Sequence, residues 1–366
     1  MVEAAALPEG TVRLPPGKAL SFVAEAFRAA GVPSDQAALI AEVLASADLR
    51  GIRSHGLSRM SYFMVRLERN TMKADPQLQL SRGSSTTAVL DGDNGIGIVV
   101  ADRAMDEAMR MAGEHGAGFV AVKNSSHFGY AGYWAERAMR NGFIGISMSN
   151  SGRRVTPTFG AQSLLGTNPL SVTMPGGEAA TDFYLDMATS AVAVGKVETA
   201  LNEGRTVPPG WVAEAGEPPD LDEYGILTYD APLLPLGGEG DQTGGHKGYG
   251  LSLMVELLCG ALSGTGLTER IEGASGHAPA AMGHFMGAID ISGFRDLDLV
   301  QADMEETFEV IRGATKAPGH DRIFIHGEPE TIAAQTNRSL GIPVTPGTMV
   351  QLQRWNTRFD LGFELP

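Results

Sequence analysis

Twelve residues, Asp48-Leu49-Arg50-Gly51-Ile52-Arg53-Ser54-His55-Gly56-Leu57-Ser58-Arg59, gather hydroxyls, an imidazole and three guanidiniums around two glycines. An imidazole titrates near neutral pH and moves protons either way, while a guanidinium fork matches a carboxylate. Together they suit proton transfer on an anionic small molecule. The stretch follows an amphipathic helix, and Gly51 stands where a helix stops in a left-handed cap. Ser54 and His55 would then be fixed in space but free of the helix ladder. If the chain is helical from His55 onward, Arg59 falls one turn later on the same face. The competing reading is a capping hydroxyl beside a solvated imidazole, so the other motifs must decide.

Asn124-Ser125-Ser126-His127-Phe128-Gly129 joins an apolar strand to a helix, and His127 sits at the carboxyl end of that strand, where open α/β sheets bind ligands. Its N–H groups and hydroxyls suit an anion at a helix N-terminus, or else a Ser simply caps the helix. Ser149-Asn150-Ser151 ends the next strand in the same way, and Arg153-Arg154 after it reads as a solvated pair or a phosphate clamp. Asp186 in Leu185-Asp186-Met187-Ala188-Thr189-Ser190 reads as an N-cap or an acid. Gly244-Gly245-His246-Lys247-Gly248-Tyr249-Gly250 is either a glycine hinge or a phosphate cradle with Lys247 as its point charge. His326-Gly327-Glu328-Pro329-Glu330 reads as a loop.

The elements that must carry these groups follow from periodicity. Residues 1–16 look irregular. Pro16 opens a helix through about Ala30 that Gly31 closes, Ser34 is a candidate N-cap for a second helix, and a third runs from about Leu57 to Asn70. A hairpin at Leu78–Leu90 turns at Gly83-Ser84-Ser85. Strands at Phe119–Val122 and Phe143–Met148 alternate with helices at Val99–His115 and Ala131–Asn141, the mark of a mixed α/β sheet. After a long loop over about Gly204–Thr243 come helices at Tyr249–Ser263 and Leu297–Gly313, strands at Met286–Ile291 and Arg322–Ile325, and a closing helix at Pro329–Leu340.

The 366-residue chain carries a net charge of −15, which argues against nucleic acid, since phosphate binding needs a basic patch. Any anionic ligand must be held by local groups. The single cysteine, Cys259, excludes an intrachain disulfide and points to a reducing cytoplasm. No apolar run suits a membrane span, and no basic leader precedes one. No P-loop is present, and Gly95-Ile96-Gly97 has Val100 where the dinucleotide fingerprint needs its third glycine. The eight histidines show no metal-ligand spacing, so no metal is expected.

Taken in chain order, Arg50-Gly51-Ile52-Arg53-Ser54-His55-Gly56, Ser126-His127-Phe128-Gly129, Thr167-Asn168-Pro169, Asp186-Met187-Ala188-Thr189-Ser190, Val194-Gly195-Lys196 and Gly245-His246-Lys247-Gly248-Tyr249-Gly250 resemble the motifs of the malate/L-lactate dehydrogenase family, over nearly the whole chain. The resemblance implies a non-Rossmann, mixed-sheet α/β fold with helical N- and C-terminal segments, in agreement with the missing fingerprint. It also implies NAD or NADP, a small carboxylate substrate, and a homodimer with its active site near the interface. The corresponding division is a helical segment 1–76 bearing the Ser-His-Arg motif, a cofactor-binding region 77–299 and a C-terminal segment 300–366 packing back on the first.

Carried over by that resemblance, Ser54 and His55 match a relay pair, Arg59 the carboxylate ligand, and His127 a proton acceptor. His127, Phe128, Gly129, Ser151, Thr167, Asp186, Met187, Ala188, His246, Lys247, Gly327 and Glu328 match cofactor contacts. Asp186 is also a candidate third member of a Ser-His-Asp relay. Arg153-Arg154 departs from the apolar or proline residues expected there, and a guanidinium at that place would favour an NADP 2′-phosphate or an anionic substrate. The implied reaction moves a hydride between nicotinamide and a small 2-hydroxy or 2-keto acid, with a cyclic imino acid or diketo sugar acid as the alternative substrate. Either His55 or His127 can carry the proton, and His55 is favoured by its neighbours Ser54 and Arg59. A Ser54/His55 hydrolase is weaker, because adjacent residues seldom bring a hydroxyl onto the neighbouring imidazole and no G-x-S-x-G is present. A ligand-binding protein without catalysis leaves the co-occurrence of these motifs unexplained.

Overall fold

Prolines and glycines set the limits of the first helices in the computed structural model, which describes residues 7–177, 181–202, 205–213, 219–220, 232–268, 271 and 277–366. Helix α1 (Pro16–Ala29) starts on a proline in its first turn, where the missing N–H costs nothing, and ends before Gly31 at φ 90°. Helix α2 (Ser34–Leu49) buries Ile40, Val43 and Leu44 completely. Removing each of these from water stabilises the fold by roughly 1.5–3 kcal/mol. Ser34 is the first helical residue rather than the cap, because Pro33 occupies the cap position and no side-chain capping bond forms.

Two tight turns, Arg53–His55 and Leu57–Arg59, separate α2 from α3 (Met60–Glu68). The helix expected from Leu57 becomes α-helical only at Met60, its first turn being the tight turn Leu57–Arg59 that Gly56 at φ −93°, ψ −140° separates from Arg53–His55.

Among the described residues the central sheet has seven strands in the order β2-β3-β4-β8-β5-β6-β7. These are β2 (Gln79–Arg82), β3 (Thr87–Asp91), β4 (Ala117–Ser125), β5 (Phe143–Ser149), β6 (Leu170–Met174), β7 (Phe183–Met187) and β8 (Met282–Asp290). Only β3 and β4 run parallel among these neighbours. Helix α4 (Gly97–His115) crosses between them and ends in left-handed Gly116, and α5 (Ala131–Met139) links β4 to β5.

The registers pair Ser125 with Met282, Ser149 with His284, Met148 with Leu170, and Leu170 with Met187. The ends of β4, β5 and β7 and the starts of β6 and β8 thus share one edge of the sheet. Every polar cluster singled out between residues 124 and 190 lies there.

Helix α6 (Val194–Asn202) packs Val197 against buried Val155, Val192 and Leu233. Helix α7 (Gly245–Glu256) starts four residues earlier than the Tyr249 expected from sequence, with left-handed Gly244 as its cap. The glycine-rich segment is helical because the main chain of Leu236 and Gly238 packs where a Cβ on Gly248 or Gly245 would stand, 2.1 and 2.0 Å away. Beyond α8 (Leu297–Gly313), the strand expected at Arg322–Ile325 joins no ladder, and only the neighbouring His326 carbonyl reaches the sheet, accepting from Tyr184 N–H.

Helix α9 (Glu328–Leu340) leads into two elements not expected from sequence, β9 (Ile342–Val344) and α10 (Pro346–Arg358). β9 pairs with β1 (Val12–Leu14), in the stretch that reads as irregular, because a three-residue strand has too few positions to show an alternation. Much of the expected long loop at 204–243 lies outside the described residues. No helix among the described residues is long and apolar enough to cross a membrane.

A close approach at the start of α4 gives a test. A Cβ on Gly97 would lie 2.1 Å from the Ser126 carbonyl and 2.5 Å from that of His127. Gly97→Ala must push back the main chain that carries His127, and overpacking of this kind costs about 1–3 kcal/mol. Denaturant unfolding should show that loss, and an unchanged midpoint would mean that the turn yields freely.

Candidate active site

Asp48 shapes the turn that carries Ser54 and His55. Its buried carboxylate accepts the Leu57 N–H at 2.7 Å, and a Cβ on Gly56 would stand only 2.2 Å from it. Burial pushes this carboxyl up to about 7, against the opposing pull of the Leu57 N–H and the Arg53 charge. The turn is also fastened from behind. Asn337 on α9 donates to the Asp48 and Leu49 carbonyls at 3.4 and 2.9 Å and accepts from Arg13 at 2.7 Å.

Within the turn, Ser54 Oγ and His55 Nδ1 are 2.8 Å apart. Adjacent residues do make this contact here, contrary to the expectation from sequence, because the tight turn closed by Gly56 brings both side chains to one side. Arg59 is not placed by a helical repeat from His55. Its Nε and Nη2 donate to the Ser54 carbonyl at 3.2 and 3.0 Å, which folds the side chain back along the turn. The His55 and His127 rings lie 5.3 Å apart, with Tyr62 and Phe63 of α3 at 5.6 and 6.0 Å from His127. Ser54, His55, Arg59 and His127 therefore form one cluster.

The two imidazoles differ in what their ring nitrogens can do. His127 Nδ1 accepts the Gly129 N–H at 3.2 Å, which leaves the proton of the neutral ring on Nε2. It is a hydrogen-bond donor toward a ligand. His55 has Nδ1 on a hydroxyl that can accept as well as donate, so its ring tolerates either charge state. Burial lowers His55 to about 3, helped by the Arg59 charge, and burial also holds His127 well below the ordinary histidine range, helped by the Arg59, His55 and His284 charges. Both rings are neutral at pH 7.

Behind them lies a histidine that the sequence reading passed over. His284 is fully buried, stacks on Phe128 at 4.5 Å, and touches Ser149 Oγ at 2.9 Å and Ser125 Oγ at 2.8 Å. Ser149 Oγ also lies 2.9 Å from the Asn150 carbonyl as its donor, so it accepts from His284 Nδ1–H. The Phe128 ring is therefore a buried wall packed on His284. A lone histidine in the apolar run Met282–Asp290 was the only signal, and such a residue is ordinarily a satisfied core group.

The remaining residues lie in several separate places. Ser151 and Thr167 meet, their hydroxyls 3.3 Å apart, with the Thr167 N–H on Ser151 Oγ at 3.1 Å. Asn168 accepts the Ser151 N–H and donates to Glu256, which also takes the Thr268 N–H, so a buried carboxylate locks these loops together. Thr189 N–H donates to the Thr167 carbonyl, which holds Ala188 beside them, while Met187 packs into the apolar cluster around Met148 and Val255.

Asp186 accepts the Gly132 N–H at 3.0 Å and so caps α5 across the sheet rather than a helix that follows it. Burial holds it up at about 7, and Arg50, not His55, is the cation that opposes this. The proposed third relay member thus faces α5. Gly327 packs on Tyr184, and Glu328 is committed to the Ile325 N–H, Arg312 and Arg322 at 2.8, 2.8 and 3.3 Å. Together with Arg50 and Glu136 they border a cleft of about 310 Å³. His246 and Lys247 are exposed in the first turn of α7.

The chain resembles known proteins over nearly its whole length. The family model described as malate/L-lactate dehydrogenase matches residues 14–353. A malate dehydrogenase of Pyrococcus abyssi is 39% identical over 351 residues, 94% of each chain. An L-sulfolactate dehydrogenase of Methanothermobacter thermautotrophicus is 31% identical, covering 97% of this chain and 99% of its own. The solved malate dehydrogenase of Pyrococcus horikoshii OT3 superposes with a TM-score of 0.88 at 35% identity, over 100% of this chain and 99% of that one.

Proposed function

Because the chain belongs to the malate/L-lactate dehydrogenase family, and so is a nicotinamide-dependent oxidoreductase acting on the CH–OH group of 2-hydroxy acids, we propose that His55 carries the proton and Arg59 holds the substrate carboxylate. The observation that carries this is the cluster itself: an imidazole seated on Ser54 at 2.8 Å, with Arg59 folded along the same turn and His127 facing it at 5.3 Å. In oxidation, neutral His55 accepts the hydroxyl proton and the imidazolium is steadied by Ser54 Oγ. His127 donates Nε2–H to the same substrate oxygen, and Arg59 orients the carbon that gives up hydride. Reduction runs the same steps backwards.

The cofactor, NAD or NADP, supplies or accepts the hydride when bound. The donors along the sheet edge fit a dinucleotide. Lys247 stands exposed at the N-terminus of a 12-residue helix, which suits a phosphate, and the Ser151 and Thr167 hydroxyls face the same region as Thr189. The backbone at His127 to Gly129, at Asp186 to Ala188 and at Gly327 would complete the cradle. Glu328 contributes its main chain only, since its carboxylate is already engaged. His246 lies beside Lys247 as a further contact. The enzyme works as a cytoplasmic homodimer in this reading, with the 1–76 segment supplying the Ser-His-Arg turn, 77–299 the cofactor cradle and 300–366 the brace behind the turn.

Absorbance at the nicotinamide band with NADH and then NADPH, against a panel of 2-keto acids and one cyclic imine, tests the reading. Oxidation by a 2-keto acid supports it, and turnover of the imine alone would move the substrate to the imino acids. Folded protein that neither binds nor oxidises either cofactor would end it.

A pH profile adds an independent check. With His55 lowered to about 3 in the free protein, its neutral form persists as pH falls, so the acid limb of kcat/KM for oxidation should lie well below pH 6.5. A bound carboxylate cancels part of the Arg59 charge and raises the imidazole, so the limb in kcat should lie at higher pH than the limb in kcat/KM. Coincident limbs near pH 6.5 would mean that an ordinary solvated histidine is titrating.

A further inference from the structure

We propose that Glu256, a buried carboxylate that the mechanism above leaves unused, is the positioning residue of the cofactor cradle: it fixes α7, with Lys247 in its first turn, against the loops that carry Ser151 and Thr167, and so sets the affinity for the nicotinamide cofactor. The proposal rests on the cofactor contacts proposed above and adds the residue that holds them together.

Glu256 is 2% exposed and ends α7, where the helix widens into a π turn over Leu257–Ala261. Single turns of this kind recur at functional sites. The carboxylate is the meeting point of three segments. Oε1 accepts the Thr268 N–H at 2.6 Å and the Asn150 amide at 3.4 Å, while Oε2 accepts the Asn168 amide at 3.0 Å and the Thr268 hydroxyl. All four donors are neutral. Each amide is also fixed by its other end. Asn150 Oδ1 takes the Gly283 N–H at 2.8 Å and Asn168 Oδ1 the Ser151 N–H at 3.2 Å, which turns both NH2 groups toward Glu256. Asn168 holds φ 38° as well, a left-handed conformation that a side chain keeps only where its surroundings impose it.

A buried carboxylate is costly unless its lone pairs are filled, and a network that fills them specifies one arrangement of the chains it joins. Here the arrangement joins two sides of the cradle. Asn150 precedes Ser151, Asn168 follows Thr167, and Lys247 shares a helix with Glu256. The Ser151 and Thr167 hydroxyls, 3.3 Å apart, are thus tied to α7 through one side chain. A cradle set in advance avoids the ordering cost that would otherwise be taken from cofactor affinity.

The test inverts the contact between Glu256 and Asn168. Kd for NADH and for NADPH is measured by nicotinamide fluorescence, beside the thermal midpoint, for the full chain and for Glu256→Gln, Asn168→Asp and the double variant. Glu256→Gln sets an NH2 against an N–H donor, Asn168→Asp sets two carboxylates against each other across the 3.0 Å contact, and the double variant restores one donor facing one acceptor. Each single change should raise Kd about 10-fold for the better-bound cofactor, the size of a buried polar group left unanswered, and the double variant should return it to within about 3-fold of wild type. Glu256→Asp keeps the charge with a shorter reach and should raise Kd about 5-fold, which decides the matter if Glu256→Gln does not fold. Folded variants that melt earlier but bind the cofactor as wild type does would make Glu256 a core residue only and overturn the proposal, as would a double variant that binds no better than the single ones. Wild type that binds neither NADH nor NADPH would instead bring down the cofactor reading above, and this proposal with it.

Discussion

His55→Ala is expected to lower kcat by about 10³-fold in both directions while the Kd for the nicotinamide cofactor changes by less than about 2-fold, the usual size of a lost acid/base. The reason is geometric. His55 is the imidazole whose Nδ1 rests on a hydroxyl at 2.8 Å, whereas His127 has its Nδ1 occupied by the Gly129 N–H at 3.2 Å. To take up a proton His127 would have to give up that bond, while His55 only turns the Ser54 hydroxyl. His127→Ala should therefore cost less than His55→Ala, and His127→Asn, which can still donate, should recover part of the loss. Stopped-flow turnover and quenching of protein fluorescence by the cofactor separate the two effects. Equal or larger loss in the His127 variants would transfer the proton to His127.

Arg59→Leu should cost kcat/KM about 10³-fold, because a bidentate carboxylate contact and the orientation it gives are both removed. Arg59 also holds the Ser54 carbonyl through two bonds, at 3.2 and 3.0 Å, so part of the loss reflects a looser turn. Arg59→Lys keeps the charge without the fork and should fall between wild type and Arg59→Leu. The pH profile distinguishes a carboxylate clamp from a strut. Arg59 is the charge that helps burial to depress His55, so removing it should move the acid limb of kcat/KM upward, toward the ordinary histidine range. An unmoved limb, together with a loss confined to thermal stability, would leave Arg59 a strut.

Sequence and structure agree over several long signals, although the 13-residue α10 was not read from sequence. Helix α8 follows from its periodicity over Leu297–Gly313, and the alternation from β4 to β5 follows from apolar runs between glycines. Short elements escape for a physical reason. β1 and β9 are three residues each and exist only because they pair with one another across the whole chain. Glycine misleads at Gly244–Gly250, where flexibility on paper becomes helix because neighbouring main chain packs into the space left by absent side chains.

The site was legible in the types of its residues more than in their partners. Ser54, His55, Arg59 and His127 meet, but spacing said nothing of which nitrogen each ring would offer. Asp186 was read as an acid near a helix, and it does cap one, though the helix is α5 on a different part of the chain. Arg153-Arg154 stands out by charge, but spacing does not choose between a solvated pair and a phosphate clamp.

The fastening of the Ser54-His55 turn by Asn337, whose other partner Arg13 lies 324 residues away, sets the order in which the candidate site can form. Ser54 and His55 leave the ribosome well before the distant side chain that braces their turn. Contacts of such long sequence separation form late and slowly. A nascent chain can therefore build α1 and α2 long before the turn that follows them is braced, and that bracing waits until α9 has been made and has reached α2.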